Sequence, residues 1–287
     1  MSPYLTASRP RTLAAALCPV AAGCALAWHL EQRFSLLLAV STLLSTLCLQ
    51  IATNYFNDAV DAKKGADTAR RLGPQRATAS GLVSRKAMMR AGAAALLVAV
   101  LFSLPMVEAR GWMIVLIGLV SLFFTYGYTG GPVPLAYRGL GELFVILFFG
   151  LIAVTGTVFV QTGHWHWEGL LAGLQIGSMS TALIAINNLR DITEDTLSRK
   201  RTLAVRSGES AAKRMIIAWC LLPYLLDLGW APFHEKLCYY PAPASLLGVA
   251  VSVLVFRTAP SVGYNRFLAL AGLHLLVWTA LFVAACM

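Results

Sequence analysis

Nine stretches of about 20 apolar residues run through this chain, each about long enough to cross the hydrocarbon core of a bilayer as a helix. They cover residues 12–30, 35–56, 87–107, 111–128, 139–161, 168–189, 212–230, 242–257 and 267–286, the eighth being short and preceded by Pro241 and Pro243. Hydrocarbon offers no partner to backbone N–H and C=O groups, so such stretches fold as helices whose hydrogen bonds are internal. With 58% hydrophobic and only 13% charged residues, the composition excludes an ordinary water-soluble domain, in which about a quarter of residues are charged. The expectation is an all-α polytopic membrane protein, with nine transmembrane helices in one bundle, a single domain over residues 1–287 and loops capping one end.

A formal net charge of +10 would suit a nucleic-acid partner, but the basic residues are distributed otherwise. With nine crossings, the N-terminus and every even-numbered connection share one side. Of the 23 lysines and arginines, only Arg33, Arg110 and Lys236 fall on the other. The positive-inside rule makes the basic side cytoplasmic. The lipid bilayer is then the implied partner, with no nucleic acid and no obligate protein partner. Arg9 and Arg11, ahead of an alanine-rich run, read as the flank of a signal anchor rather than of a cleaved leader. The six cysteines lie mostly within the spans, show no paired spacing and read as small apolar fillers.

Two of the apolar stretches end in carboxylates and amides instead of in a turn. In the first, Asn54, Asn57, Asp58 and Asp61 stand at i, i+3, i+4 and i+7, which is one face of a helix. In the second, Asn187, Asp191 and Asp195 stand at i, i+4 and i+8; each four-residue step drifts only about 40°, so these also share a face. Each cluster is followed by basic residues, small residues and Ser-Gly, at Arg76 to Gly81 and at Lys200-Arg201 to Gly208. Motif one, near 54–81, and motif two, near 187–208, therefore read as pseudo-repeats, two half-sites facing one another on the cytoplasmic side. Between them, Tyr126 and Tyr128 precede a Gly/Pro loop and Glu142 opens the fifth span. They read either as groups at a cavity mouth or as an interfacial aromatic belt and a helix-dipole partner. On the opposite side, His164 and His166 have no third ligand nearby in the sequence and read as interfacial histidines.

Carboxylate and amide oxygens are hard ligands suited to Mg²⁺, which binds through one or two carboxylates together with substrate phosphates. Grouped acids at a membrane interface repel one another; a divalent cation relieves that repulsion and creates a site for an anion. Lysine and arginine behind each cluster suit phosphate oxygens. The combination reads as a diphosphate bridged by metal between two helix ends, on a substrate with a charged head and a lipid tail, such as a prenyl diphosphate. Metal and cationic side chains would stabilise departing diphosphate, and aromatic faces the allylic cation left behind.

Taken in order, these motifs resemble those of the UbiA superfamily of intramembrane aromatic prenyltransferases over nearly the whole chain. The residues are Arg9-Pro-Arg-Thr12, Asn57-Asp-Ala-Val-Asp61 with Gly65-Ala-Asp67-Thr68, Arg76-Ala-Thr-Ala-Ser-Gly81, Tyr128-Thr-Gly-Gly-Pro132 with Gly139-Leu-Gly-Glu142, and Asn187-Asn-Leu-Arg-Asp191 with Lys200-Arg-Thr-Leu-Ala204. Within the superfamily the chain is most similar to the 1,4-dihydroxy-2-naphthoate polyprenyltransferases of menaquinone synthesis. The resemblance implies Mg²⁺ as cofactor, held by the catalytic carboxylates Asp58, Asp61, Asp191 and Asp195. Much of the superfamily carries a further Asp where this chain has Gly65, and Asp67 is the expected substitute ligand. Asn57, Arg76, Asn187, Asn188, Lys200 and Arg201 are the expected diphosphate-binding residues, with helix capping the alternative role for the asparagines. Tyr126, Tyr128 and Glu142 are expected at the aromatic acceptor or the allylic cation.

The implied reaction moves a polyprenyl group from polyprenyl diphosphate to a dihydroxynaphthoate acceptor, releasing diphosphate and carbon dioxide to give demethylmenaquinone. The alternatives within the class are 1,4-dihydroxy-6-naphthoate, 4-hydroxybenzoate and homogentisate as acceptors. A cation-coupled transporter is the alternative outside it, opposed by acids that lie at span ends rather than at the bilayer midplane.

Overall fold

Each long apolar run becomes helix in the computed structural model, which describes residues 2–66 and 72–287. In chain order the long helical segments are α1 (Ala14–Glu31), α2 (Leu36–Lys64), α3 (Arg85–Arg110), α4 (Trp112–Gly127), α5 (Gly141–Thr162), α6 (Trp167–Arg190), α7 (Glu209–Asp227), α8 (Glu235–Arg257) and α9 (Tyr264–Cys286). There is no strand among the described residues. Seven of the segments, not the nine expected, are long and apolar enough to cross a membrane by length and composition. The two exceptions have identifiable causes. Helix α4 has only 16 residues, and α7 carries Glu209, Lys213, Arg214 and Asp227 within its 19.

Helix α6 lies at the centre, with Ile176, Ile186 and Leu189 fully buried in a core shared with α1, α5, α7, α8 and α9. The outer helices α3 and α4 turn large apolar side chains outward: Leu101 is 55% exposed and Phe123 69%. Apolar exposure on that scale is what a surface facing lipid requires and what a water-facing surface avoids.

The approach of α5 to α6 depends on missing side chains. Helix α5 widens to a π-helical turn over Ile146–Ile152, and there Gly150 faces Gly173 and Gly177 of α6, backbone against backbone. Close contact of this kind, between small residues one turn apart, is a recurrent way to join helices in lipid, where hydrophobic exclusion does not act.

The helix ends set the position of the site. Helix α2 stops at Gly65, whose φ of 67° is a left-handed cap that glycine adopts without strain. The ends of α2, α4 and α6 and the start of α5 gather at one end of the bundle. The loops around Pro74–Gly81 and Leu135–Tyr137 and the short helices Ile192–Leu197 and Leu203–Ser207 cover that end.

A methyl group at Gly150 would collide with the Gly173 carbonyl oxygen and stand 2.7 Å from the Gly177 Cα. Gly150→Ala is therefore expected to lower the thermal unfolding midpoint in detergent, consistent with overpacking costs of about 1–3 kcal/mol. Gly118→Ala on α4, where an added Cβ meets nothing within 4 Å, should leave the midpoint unchanged.

Candidate active site

A cavity of about 660 Å³ opens among these helix ends. Five carboxylates (Asp58, Asp61, Asp191, Asp195 and Glu142) and four cations (Arg9, Arg76, Arg190 and Lys200) line it.

Because α2 runs uninterrupted to Lys64, its polar residues keep one face: Asn54, Asn57, Asp58 and Asp61 are all buried and all line the cavity. Each is held differently. The Asn54 amide donates to the Ser8 carbonyl at 2.8 Å and ties down the N-terminal segment. Asn57 accepts from the Thr129 hydroxyl. Both oxygens of Asp58 accept backbone N–H groups, from Ala77 at 3.2 Å and Thr78 at 2.8 Å, so this carboxylate anchors the loop that carries Arg76. Asp61 accepts from the Tyr137 phenol at 2.7 Å and turns its other oxygen to the Lys200 ammonium at 3.4 Å.

The second motif arrives by a broken helix. Helix α6 ends at Arg190, and Asp191 separates it from the short helix Ile192–Leu197 that carries Asp195. Arg190 is 1% exposed and donates to both oxygens of Asp191, at 2.8 and 2.7 Å, as well as to Asn187 and, from α9, Asn265. The Lys200 ammonium stands 4.0 Å from Asp195 and 3.4 Å from Asp61. One cation thus faces both motifs.

Away from the charges the cavity is apolar, walled by Leu183 and Ile184 of α6 and Leu268, Leu273 and Leu276 of α9. At the junction, Tyr128 packs on Phe144 with ring centroids 5.1 Å apart. Glu142 accepts from the Asn188 amide at 3.0 Å. Its second oxygen is buried and finds no hydrogen-bond partner among the described residues.

Asn57, Arg76, Asn187, Asn188, Lys200, Tyr128 and Glu142 thus line the same cavity as the four aspartates. Two residues expected there do not. Tyr126 is 39% exposed and packs edge-on against Phe56 instead; two helical residues lie about 200° apart, so Tyr126 and Tyr128 point to different sides of the end of α4. Arg201 is exposed, outside the lining, while its neighbour Lys200 enters it. Asp67 lies outside the described residues. Arg9, Thr129 and Arg190, which line the cavity, and Tyr137, which bonds Asp61, are site residues beyond those expected. For Arg190 there was a signal, since an arginine at the end of an apolar helix is costly without partners; for Tyr137, in a loop, there was none.

The donor set fits a hard divalent cation. Carboxylate oxygens of Asp61 and Asp195 converge from separate motifs, and the ammonium of Lys200 already supplies positive charge between them.

Residues 16–271 match the UbiA prenyltransferase family. The 1,4-dihydroxy-2-naphthoate octaprenyltransferase of Bacillus subtilis is 35% identical over 222 residues, 77% of this chain and 71% of that one. The enzyme of the same name from Mycobacterium tuberculosis is 33% identical over 284 residues, covering 96% and 93% of the two chains. Among solved structures, a UbiA homolog from Archaeoglobus fulgidus bound to GPP and Mg²⁺ superposes with a TM-score of 0.69 at 16% identity, covering 99% of both chains. The family match over most of the chain and the identity to these relatives make the conclusion direct: the chain belongs to the UbiA prenyltransferase family and is a membrane-embedded prenyltransferase.

Proposed function

We propose that the protein transfers a polyprenyl group from its diphosphate to 1,4-dihydroxy-2-naphthoate. A ring carbon bonds to the allylic carbon as the carbon–oxygen bond to diphosphate breaks, and carbon dioxide leaves the ring. The product is demethylmenaquinone in its reduced form. The observation that carries this reading is the convergence of Asp61 and Asp195 on Lys200 at the polar end of a cavity whose other end is apolar. The names of the Bacillus and Mycobacterium relatives support the naphthoate acceptor.

Asp61, Asp191 and Asp195 are the residues that would hold Mg²⁺, a cofactor supported by the ion in the Archaeoglobus homolog. When bound, it supplies charge neutralisation for the departing diphosphate. Lys200, Arg76, Arg9 and Arg190 add fixed positive charge around the same oxygens. Asp58, expected among the metal ligands, has both oxygens engaged by backbone N–H groups and acts instead through the loop it anchors, setting the position of Arg76. Asn57, Asn187 and Asn188 orient the head group and its neighbours. Tyr128 and Phe144 offer aromatic faces to the allylic cation and exclude water from it. Glu142, with one oxygen unpartnered beside Asn188, is placed to accept a hydrogen bond from an acceptor hydroxyl.

The asymmetry of basic residues supports a cytoplasmic orientation for this end. The facing motifs support a single domain built from two pseudo-repeats, near 54–81 and 187–208.

In purified protein, EDTA should stop prenyl transfer and added Mg²⁺ restore it. Asp61→Asn or Asp195→Asn should lower kcat about 10²- to 10³-fold, on the scale of removing a transition-state electrostatic group. Lys200→Ala should fall in the same range, whereas Arg201→Ala should stay within about twofold, as expected outside the water-excluded site. Equal losses at Lys200 and Arg201 would contradict the assigned geometry.

An acceptor panel tests the rest. Turnover is expected with 1,4-dihydroxy-2-naphthoate, accompanied by one carbon dioxide per prenyl transfer. Turnover with 4-hydroxybenzoate, homogentisate or 1,4-dihydroxy-6-naphthoate alone would sink the acceptor assignment and leave the prenyltransferase class intact.

A further inference from the structure

The end of the bundle opposite the carboxylate cavity gathers groups the prenyl-transfer reading does not use. In sequence, His164 and His166 have only Glu168 close by; the fold adds Glu31, the last residue of α1. A Glu31 carboxylate oxygen lies 2.8 Å from His164 Nδ1 and 2.8 Å from His166 Nε2. Ligand atoms of all three residues fall within 4.8 Å of one another.

A second carboxylate makes the arrangement chemically specific. Glu168 Oε2 approaches the other nitrogen of His166, Nδ1, at 3.8 Å. That oxygen is buried and finds no hydrogen-bond partner among the described residues. A neutral imidazole carries one N–H and an imidazolium two, so His166 serves Glu31 and Glu168 together only when its ring is protonated or when a metal ion takes one nitrogen. If the proton sits on Nε2, a bare lone pair faces the Glu168 carboxylate. A cation bound between Nε2 and Glu31 removes the conflict: Nδ1 keeps the proton and directs it at Glu168, the carboxylate–histidine–metal relay common at metal sites.

We propose that Glu31, His164 and His166 form a binding site for a divalent transition-metal ion of the zinc type, with Glu168 orienting His166. Two imidazole nitrogens and one carboxylate oxygen suit Zn²⁺ and disfavour Mg²⁺, which prefers oxygen throughout. Tetrahedral Zn²⁺ would hold its ligand atoms about 3.3 Å apart, within the range these atoms already span. The ion can enter from solvent, since the His164 side chain is 63% exposed, and water completes its coordination. The site joins the end of α1 to the connection between α5 and α6 and acts as a staple.

The test loads purified, EDTA-stripped protein with Zn²⁺ and reads metal content by elemental analysis, affinity by calorimetry and coordination by the visible spectrum of the Co²⁺-substituted protein. Expected are about one Zn²⁺ per chain, no displacement by a thousandfold excess of Mg²⁺, and a rise in unfolding midpoint on loading. His164→Ala, His166→Ala and Glu31→Gln should each weaken binding at least about tenfold and Glu168→Gln about tenfold, the usual effect of losing a hydrogen-bond partner of a ligand. Asp61→Asn should bind Zn²⁺ as the wild type does. Uptake below about a tenth of an equivalent overturns the proposal. So does full uptake by a well-folded His164→Ala/His166→Ala protein, or uptake lost only in Asp61→Asn. Should the double variant not fold, Glu31→Gln and the wild-type Co²⁺ spectrum decide, tetrahedral imidazole-ligated bands supporting the site and an octahedral all-oxygen spectrum rejecting it.

Discussion

Carboxylates from distant parts of the chain are brought together at one end of the helix bundle, and the arrangement holds because a cation lies within reach of the paired aspartates. Two like charges about 4 Å apart repel by roughly 4 kcal/mol at an effective dielectric of about 20. Lys200 faces Asp61 and Asp195 at once, and Arg190 occupies both oxygens of Asp191. The Tyr137 ring adds to this, with Lys64 3.7 Å and Lys200 5.5 Å from its centroid while its hydroxyl donates to Asp61. The polar end of the cavity is therefore a set of exchangeable charge pairs. A substrate that brings its own anion, together with a metal ion, can re-partition them without leaving a buried charge uncompensated.

The direction of the helices sharpens this demand. Asp58 and Asp61 lie in the last two turns of α2, and Asp191 follows the last residue of α6. Helix C-termini carry partial negative charge, so acids there add to the carbonyl dipoles instead of opposing them. An N-terminal placement of the same acids would have stabilised them without any ion. At C-termini they make a cation site, and Lys63, Lys64 and Arg190 in the final turns answer part of the need. Glu142 and Asp195 are the contrast: each lies in the first turn of a helix, where the dipole favours it, and Glu142 faces the Asn188 amide rather than a cation.

What was legible in the sequence was whatever depends on local period. The face shared by Asn54, Asn57, Asp58 and Asp61 follows from 3.6 residues per turn in an unbroken helix, and all four line the cavity. The second cluster reached the same place although α6 breaks at Asp191, because the short helix that follows keeps Asp195 facing inward. Proximity in sequence is a poor guide to a shared face. Tyr126 and Arg201 stand beside Tyr128 and Lys200 in the chain, but side chains one or two residues apart diverge. Arg190 pairs with Asp191 and Asn187 beside it and was legible from its place at the end of an apolar helix, whereas Tyr137 and Thr129 have partners, Asp61 and Asn57, that lie 76 and 72 positions away and meet them only through tertiary packing. The same limit hid Glu31 from His164, 133 positions on.

The two ends of the bundle differ in donor chemistry, and this keeps them from competing for the same ion. Oxygen donors backed by lysine and arginine favour a small hard cation that arrives with phosphate; imidazoles backed by a carboxylate favour a borderline one that needs no anion. Helix α1 connects them, since its 18 residues span about 27 Å, with Ala14 and Ala15 in the cavity wall and Glu31 at the far end. The turn that carries His164 and His166 also joins α5, which brings Glu142 and Phe144 to the cavity, to α6, which brings Asn187 and Asn188. Fixing that turn to α1 sets the axial position of α5 and α6 against α1, and the Gly150–Gly177 contact carries the constraint along the pair. A staple at one end of the bundle thus helps hold the width of the cavity at the other, through packed backbone and without contact with the reacting groups.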